Sequence, residues 1–287
     1  MTNCHVTEAA AARLRELLTW TEIAGEGMGW PAAFAALDAG ADPDTHDGKG
    51  WTLLLQAIRD GQEDTVDRLL ARGADPGRAE GRGRTPLMFA AESGEAGMLA
   101  SLLAAGAALD VHDHAGVTAL VRALQYRRID IARTLLDHGA SPNRPAGLTA
   151  DQISHTPLMY AMAFGDHDTI TRLLERGADP NARDAAGQTV LMRVDSSSPD
   201  LIRLLIRHGA DPSARDARGH TLPFLFAKAQ RADLLETLDD ILADPARATA
   251  RRQVLDPLTP SQRHRWLPRS TAATAAPTLH HRWDRRP

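Results

Sequence analysis

Two short patterns recur along this chain in fixed register, and nothing else in it constrains the fold as strongly. The first, Thr85-Pro86-Leu87, has counterparts at Trp51-Thr52-Leu53, Thr118-Ala119-Leu120, Thr156-Pro157-Leu158, Thr189-Val190-Leu191 and Thr221-Leu222-Pro223. The second is a Gly-Ala pair, usually followed by Asp-Pro, beginning at Gly40, Gly73, Gly106, Gly139, Gly177 and Gly209. The threonines step by 33, 33, 38, 33 and 32 residues and the glycines by 33, 33, 33, 38 and 32. A period of this length marks stacked units, each too thin to bury its apolar face alone. The 287 residues therefore read as one elongated array rather than two globular domains.

Each unit can be read residue by residue. The threonine side chain of Thr85-Pro86-Leu87 suits a helix N-cap, and proline fits the first helical position, where its missing N–H costs nothing. Leu87, Ala90 and Ala91 share one face, Gly94 ends that helix, and a second helix runs through Leu102-Leu103 to the turn at Gly106. Apolar residues make up 43% of the chain but aromatics only 4%, which fits thin helix-on-helix packing and argues against a sheet protein.

These two signatures resemble the ankyrin repeat, whose unit of about 33 residues turns into its first helix at Thr-Pro-Leu-His and leaves its second at Gly-Ala-Asp. The resemblance covers roughly 240 residues and implies an all-α ankyrin-repeat solenoid of about six to seven helix-turn-helix units with short β-hairpin-like fingers. Residues 1–46 form a degenerate N-terminal capping repeat. It contains a helix over 6–20 and a short one opened by Pro31. The units follow at 47–79, 80–112, 113–150, 151–183, 184–215 and 216–245, with a helical extension at 246–268 and a disordered basic tail at 269–287. Where the family has histidine after Thr-Pro-Leu, this chain has Leu55, Met88, Met159 and Met192, so packing replaces hydrogen bonding at those turns. Residues 146–150 are an insertion before the fourth unit's finger, and the unit starting at Asp184 is one residue short near Ser196-Ser197-Ser198-Pro199.

Chemistry finds little foothold. Phosphate-binding glycine loops, His-Glu-x-x-His and nucleophile elbows are all absent, so no enzyme, cofactor or small-molecule substrate is expected. His112 and His114 flank Asp113, which occupies the ordinary turn aspartate, and with no third ligand at metal spacing they read as fingertip residues. Cys4 is the single cysteine, no apolar run is long enough to span a membrane, and the first residues read as lacking a secretory signal, so none is expected. A cytoplasmic monomer is expected. All but two of the Lys/Arg residues, Lys49 and Lys228, are arginine, a skew that reads as a GC-rich bacterial coding sequence.

Net charge is −4, but nine arginines lie beyond residue 246 against Asp256 and Asp284, so the body is distinctly acidic. That acidity argues against nucleic-acid binding by the repeats. In ankyrin arrays the fingers and first helices line the concave face that meets partners, and here those positions are basic and aromatic. The candidate partner-binding residues are Trp51, Arg82, Arg84, His114, Tyr126, His155, Phe164 and Arg183. Arginine and exposed aromatics are the residues that dominate binding energies. The resemblance thus implies a non-enzymatic protein-binding module, an adaptor or inhibitor, facing a partner with an acidic surface. An immunity-type protein neutralising a bacterial toxin or enzyme, and a host-directed bacterial effector, are the alternatives.

Overall fold

The computed structural model describes residues 2–24, 29–144, 155–194, 199–229 and 231–243. The insertion at 146–150, residues 151–154 of the finger that follows it, and everything beyond 243 lie outside the described residues, as does Ser198. A first pair of helices, α1 (Thr2–Ala24) and α2 (Trp30–Asp38), is followed by α3 (Leu53–Arg59) with α4 (Glu63–Ala71), α5 (Pro86–Ser93) with α6 (Ala96–Ala104), and α7 (Ala119–Gln125) with α8 (Ile129–Asp137). Next come α9 (Pro157–Phe164) with α10 (His167–Glu175), a single 3₁₀ turn (Val190–Arg193) with α11 (Pro199–Arg207), and α12 (Leu222–Lys228) with α13 (Ala232–Leu242).

First helices pack in one row, α3 on α5, α5 on α7 and α7 on α9, and second helices in another, with α4 on α6, α8 on α10 and α11 on α13. Between the rows runs one continuous core from Ala10 in α1 to Leu242 in α13. Leu53, Leu69, Leu87, Leu102, Leu120, Leu135, Leu158, Leu173 and Leu205 are at most 1% exposed. Each such leucine contributes roughly 1.5–3 kcal/mol, against ~0–1 kcal/mol for an exposed ion pair. Leucine layers therefore hold the stack. Leu55, Met88, Met159 and Met192 are buried as well, so packing fills the position where the family places histidine.

Local chemistry explains where the helices start. The hydroxyls of Thr52, Thr85, Thr118 and Thr156 accept from Leu55 N (3.3 Å), Met88 N (3.4 Å), Val121 N (3.4 Å) and Met159 N (3.3 Å). Thr221 makes no such bond. Thr189 departs further: it precedes only one 3₁₀ turn, and its buried hydroxyl has no partner among the described residues. This is the unit shortened by one residue. The chain leaves helical geometry at Val194, before an α-helical turn can close.

A second series of bonds ties unit to unit. Asn143 accepts from Asp179 N (2.7 Å) and donates to Gly177 O (2.8 Å), and Asn181 likewise accepts from Asp211 N (2.7 Å) and donates to Gly209 O (2.8 Å). In the same register Asp44 accepts from Asp75 N and Asp110 from Ser141 N, both at 2.9 Å. A carboxylate has no N–H, so these two rungs lack the second bond.

Candidate functional site

The fingers are shaped by their own aspartates. One carboxylate oxygen of Asp113 accepts from Ala115 N and Val117 N, both at 2.9 Å, and Asp47, Asp184 and Asp216 close their turns the same way. Neighbouring fingers join through main chain: Gly81 N–H donates to Lys49 O (2.7 Å), His114 N–H to Arg82 O (3.0 Å) and Ala217 N–H to Ala186 O (3.0 Å). Glycine is required where this approach is tightest. At Gly187, with φ 71°, a Cβ would lie 2.6 Å from Ala217 N.

The carboxylates that shape the fingers also neutralise the arginines behind them. Asp113 pairs with Arg122 at 2.7 Å, Glu80 with Arg84 at 3.2 Å and Asp184 with Arg193 at 3.3 Å, and all three carboxylates are buried. At Asp216 burial alone would raise the pKa. Bonds from the His220 N–H, the His220 ring (3.0 Å) and the Arg218 N–H outweigh it and hold the carboxyl below its ordinary value.

This changes the standing of two residues read from the sequence as free surface cations. Arg84 is only 24% exposed, lies 4.2 Å from the centre of the Phe89 ring and is shared between Glu80 and Glu92 (3.9 Å). Arg183 donates to Gly187 O (2.9 Å) and to Arg215 O, so it staples its finger to the next. Both therefore hold the surface together as well as charging it. By contrast, the Arg82 and Arg218 side chains are exposed and have no hydrogen bond or ion pair among the described residues.

Three of the remaining candidates, Trp51, Tyr126 and His155, lie on runs of contacts that cross from unit to unit. Trp51 packs on Phe89 (5.2 Å between ring centres) with Arg59 4.9 Å from its own ring, and Phe89 carries Arg84. Arg84 meets Glu92, and the same carboxylate acts on Tyr126: hydrogen bonding to Glu92, then burial and the Glu92 charge, raise the Tyr126 pKa. Arg122 lies 3.5 Å from Gln125, which donates to the Tyr160 hydroxyl (3.0 Å). Tyr160 packs on His155 (5.5 Å), whose Nε2 accepts from Arg193 (2.8 Å). His114 sits at a fingertip beside Arg82. Phe164 is partly buried under Arg127, 5.3 Å away.

Two residues that sequence reasoning passed over stand out. Phe224 is 37% exposed and stacks on His220, with ring centres 4.5 Å apart and planes at 9°. It occupies the register in which Leu55, Met88 and Met159 are buried, so periodicity gives no hint of its exposure. Arg127 did leave a signal. It stands where Gly61, Gly94 and Gly165 end the first helices of other units, and its φ is 56°.

Comparison with known proteins agrees with this geometry. The family model for ankyrin repeats (3 copies) matches residues 29–113, 54–146 and 145–216. The ankyrin repeat-containing protein P1E11.10 of Schizosaccharomyces pombe is 39% identical over 64 residues, a stretch covering 22% of this chain and 28% of that relative. The solved ankyrin repeat domain of Bcl-3, of the IkappaB protein family, superposes with a TM-score of 0.60 at 23% identity, over 76% of this chain and 97% of that one. A chain from the structure of the Bd0816 predatory endopeptidase of Bdellovibrio bacteriovorus in complex with immunity protein Bd3460 gives a TM-score of 0.57 at 26% identity. That match covers 65% of this chain and 96% of the other.

Proposed function

The chain belongs to the ankyrin-repeat family, whose arrays are protein–protein interaction modules, and on that premise we propose that it binds an acidic protein surface without catalysing a reaction. The contact is made by the fingers and first helices, the concave side in this family, around Trp51, Arg82, Arg84, His114, Tyr126, His155, Phe164 and Arg183. One observation carries this reading. The array neutralises its inner arginines with its own buried carboxylates, yet leaves Arg82 and Arg218 at the fingertips without an acidic partner among the described residues. Fixed fingers lose little conformational freedom on association, and unpaired fingertip cations raise the rate of encounter with an acidic surface.

The test should spare the residues that hold the fingers together. A partner retained on the immobilised chain is identified, then titrated calorimetrically against the wild type and against Arg82→Glu/Arg218→Glu. The double variant should keep its melting temperature and bind at least tenfold more weakly, with a shallower salt dependence. Unchanged affinity would refute the proposed face.

A second reading is supported by the similarity to a chain from a complex between an endopeptidase and an immunity protein. On this reading the chain neutralises an enzyme made by its own cell, and the retained partner would be a hydrolase that loses activity when bound.

A further inference from the structure

We infer that Tyr126, Arg127 and Phe164, at the end of the first-helix row away from the fingers, form the anchor of this interface, where Arg127 receives a carboxylate of the partner. The inference rests on the protein-binding reading above and adds a specific point of attachment to it. Its first support is conformational. Arg127 is the non-glycine residue with positive φ (56°) among the described residues, and the equivalent positions are Gly61, Gly94 and Gly165, with φ of 69°, 87° and 69°. An L side chain in the left-handed region crowds the backbone, so an arginine there is disfavoured where glycine is not. Strain retained at one unit of an array, while its siblings avoid it, points to a role for the side chain outside folding.

The second support is electrostatic. Arg84, Arg122 and Arg193 each have a carboxylate within 3.3 Å. Arg127 is exposed and has none among the described residues; its guanidinium instead lies 5.3 Å from the centre of the Phe164 ring. Resting on a ring face pre-orients the guanidinium plane and leaves its edge N–H groups free for a bidentate acceptor. Glu92 is already paired with Arg84.

The third support is exposure. Tyr126, the residue before Arg127, is 47% exposed, more than any other large apolar side chain among the described residues. An exposed aromatic flanking an aromatic-backed arginine has the composition of an interface hot spot. A carboxylate side chain on a folded partner is the occupant that matches this charge and fork geometry.

The experiment uses the full chain and two probes, an N-acetylated, C-amidated hexaglutamate peptide and its hexaglutamine counterpart. The Arg127 Nε–H resonance should shift saturably with the first and not with the second. Arg127→Gly should raise the melting temperature by about 2–4 °C while weakening the glutamate peptide about tenfold, a combination that a structural arginine does not give. A lower melting temperature, or a Kd within twofold of wild type, would overturn the anchor. If Arg82→Glu/Arg218→Glu weakens the peptide but Arg127→Gly does not, the anchor falls and the fingertip reading stands. If the wild type binds neither peptide, both fall.

Discussion

The inter-unit rungs contain an internal experiment. Asn143 and Asn181 each bridge to the next unit with two hydrogen bonds, whereas Asp44, in the same register, accepts from Asp75 N (2.9 Å) and has nothing to donate to Gly73 O, the counterpart of Gly177 O and Gly209 O. Its carboxyl is pushed above the ordinary aspartate value by burial, and by the negative charges of Asp42 and Asp75, against the lowering effect of the Asp75 N–H bond. Asp44→Asn keeps the acceptor, supplies the missing N–H and removes the charge. One added neutral hydrogen bond is worth about 0.5–1.5 kcal/mol net. Relief of repulsion adds to this, while loss of a charge-assisted acceptor subtracts. A gain of about 1 kcal/mol at neutral pH results, or roughly 2–4 °C in melting temperature for a chain of this size.

The pH dependence checks the cause. A carboxyl whose folded pKa is raised binds its proton more tightly in the folded state, so the wild type loses stability as pH rises from the unfolded value through the folded one. The advantage of Asp44→Asn should therefore be largest at neutral pH and shrink below about pH 4, which urea denaturation at pH 7 and pH 3 will show. Destabilisation at pH 7, or the same gain at both pH values, would refute the reasoning. The first would mean that the asparagine does not bridge to Gly73, the second that charge is irrelevant at this rung.

Three further outcomes are expected. Replacing Arg122, Arg84 and Arg193 singly by Met should cost about 2–3, about 1–2 and under ~1 kcal/mol respectively. The arginines are 17%, 24% and 37% exposed, and stranding a buried carboxylate hurts less as water reaches it; equal costs in urea unfolding would sink this ranking. Thr85→Val and Thr156→Val should each lose about 1 kcal/mol with their caps, whereas Thr189→Val should be neutral or stabilising, because its buried hydroxyl has no partner to lose. Asp216 has a lowered folded pKa, so its contribution is present above the unfolded value and disappears as pH falls through the folded one. His220→Ala should weaken that acid-side loss, read as a flatter melting profile below about pH 4.

How much was legible in the sequence follows from the range of the forces involved. Helix starts at Thr52, Thr85, Thr118 and Thr156, left-handed turns at Gly40 to Gly209, and the leucine layers all depend on residues three or four positions apart or on a repeat of period 33. Such patterns are written in the chain itself. Even the failure at Thr189 had a local sign, the missing residue.

The candidate site was legible only as a set of positions. Whether an arginine there is free or neutralised depends on partners elsewhere in the fold. Arg122 is held by Asp113 across its own finger, Arg193 by His155 from the preceding unit, and Arg183 by the carbonyls of its own finger and the next. The sequence by itself determined the array, because capping, turn formation and layered burial act locally and repeat. The tertiary structure alone decided that Arg84 and Arg183 are held by neighbouring groups while Arg82 and Arg127 have no acidic partner among the described residues, because pairing depends on how each finger folds back on its own helix, as at Arg84, and on which units stack, as at Arg183 and Arg215.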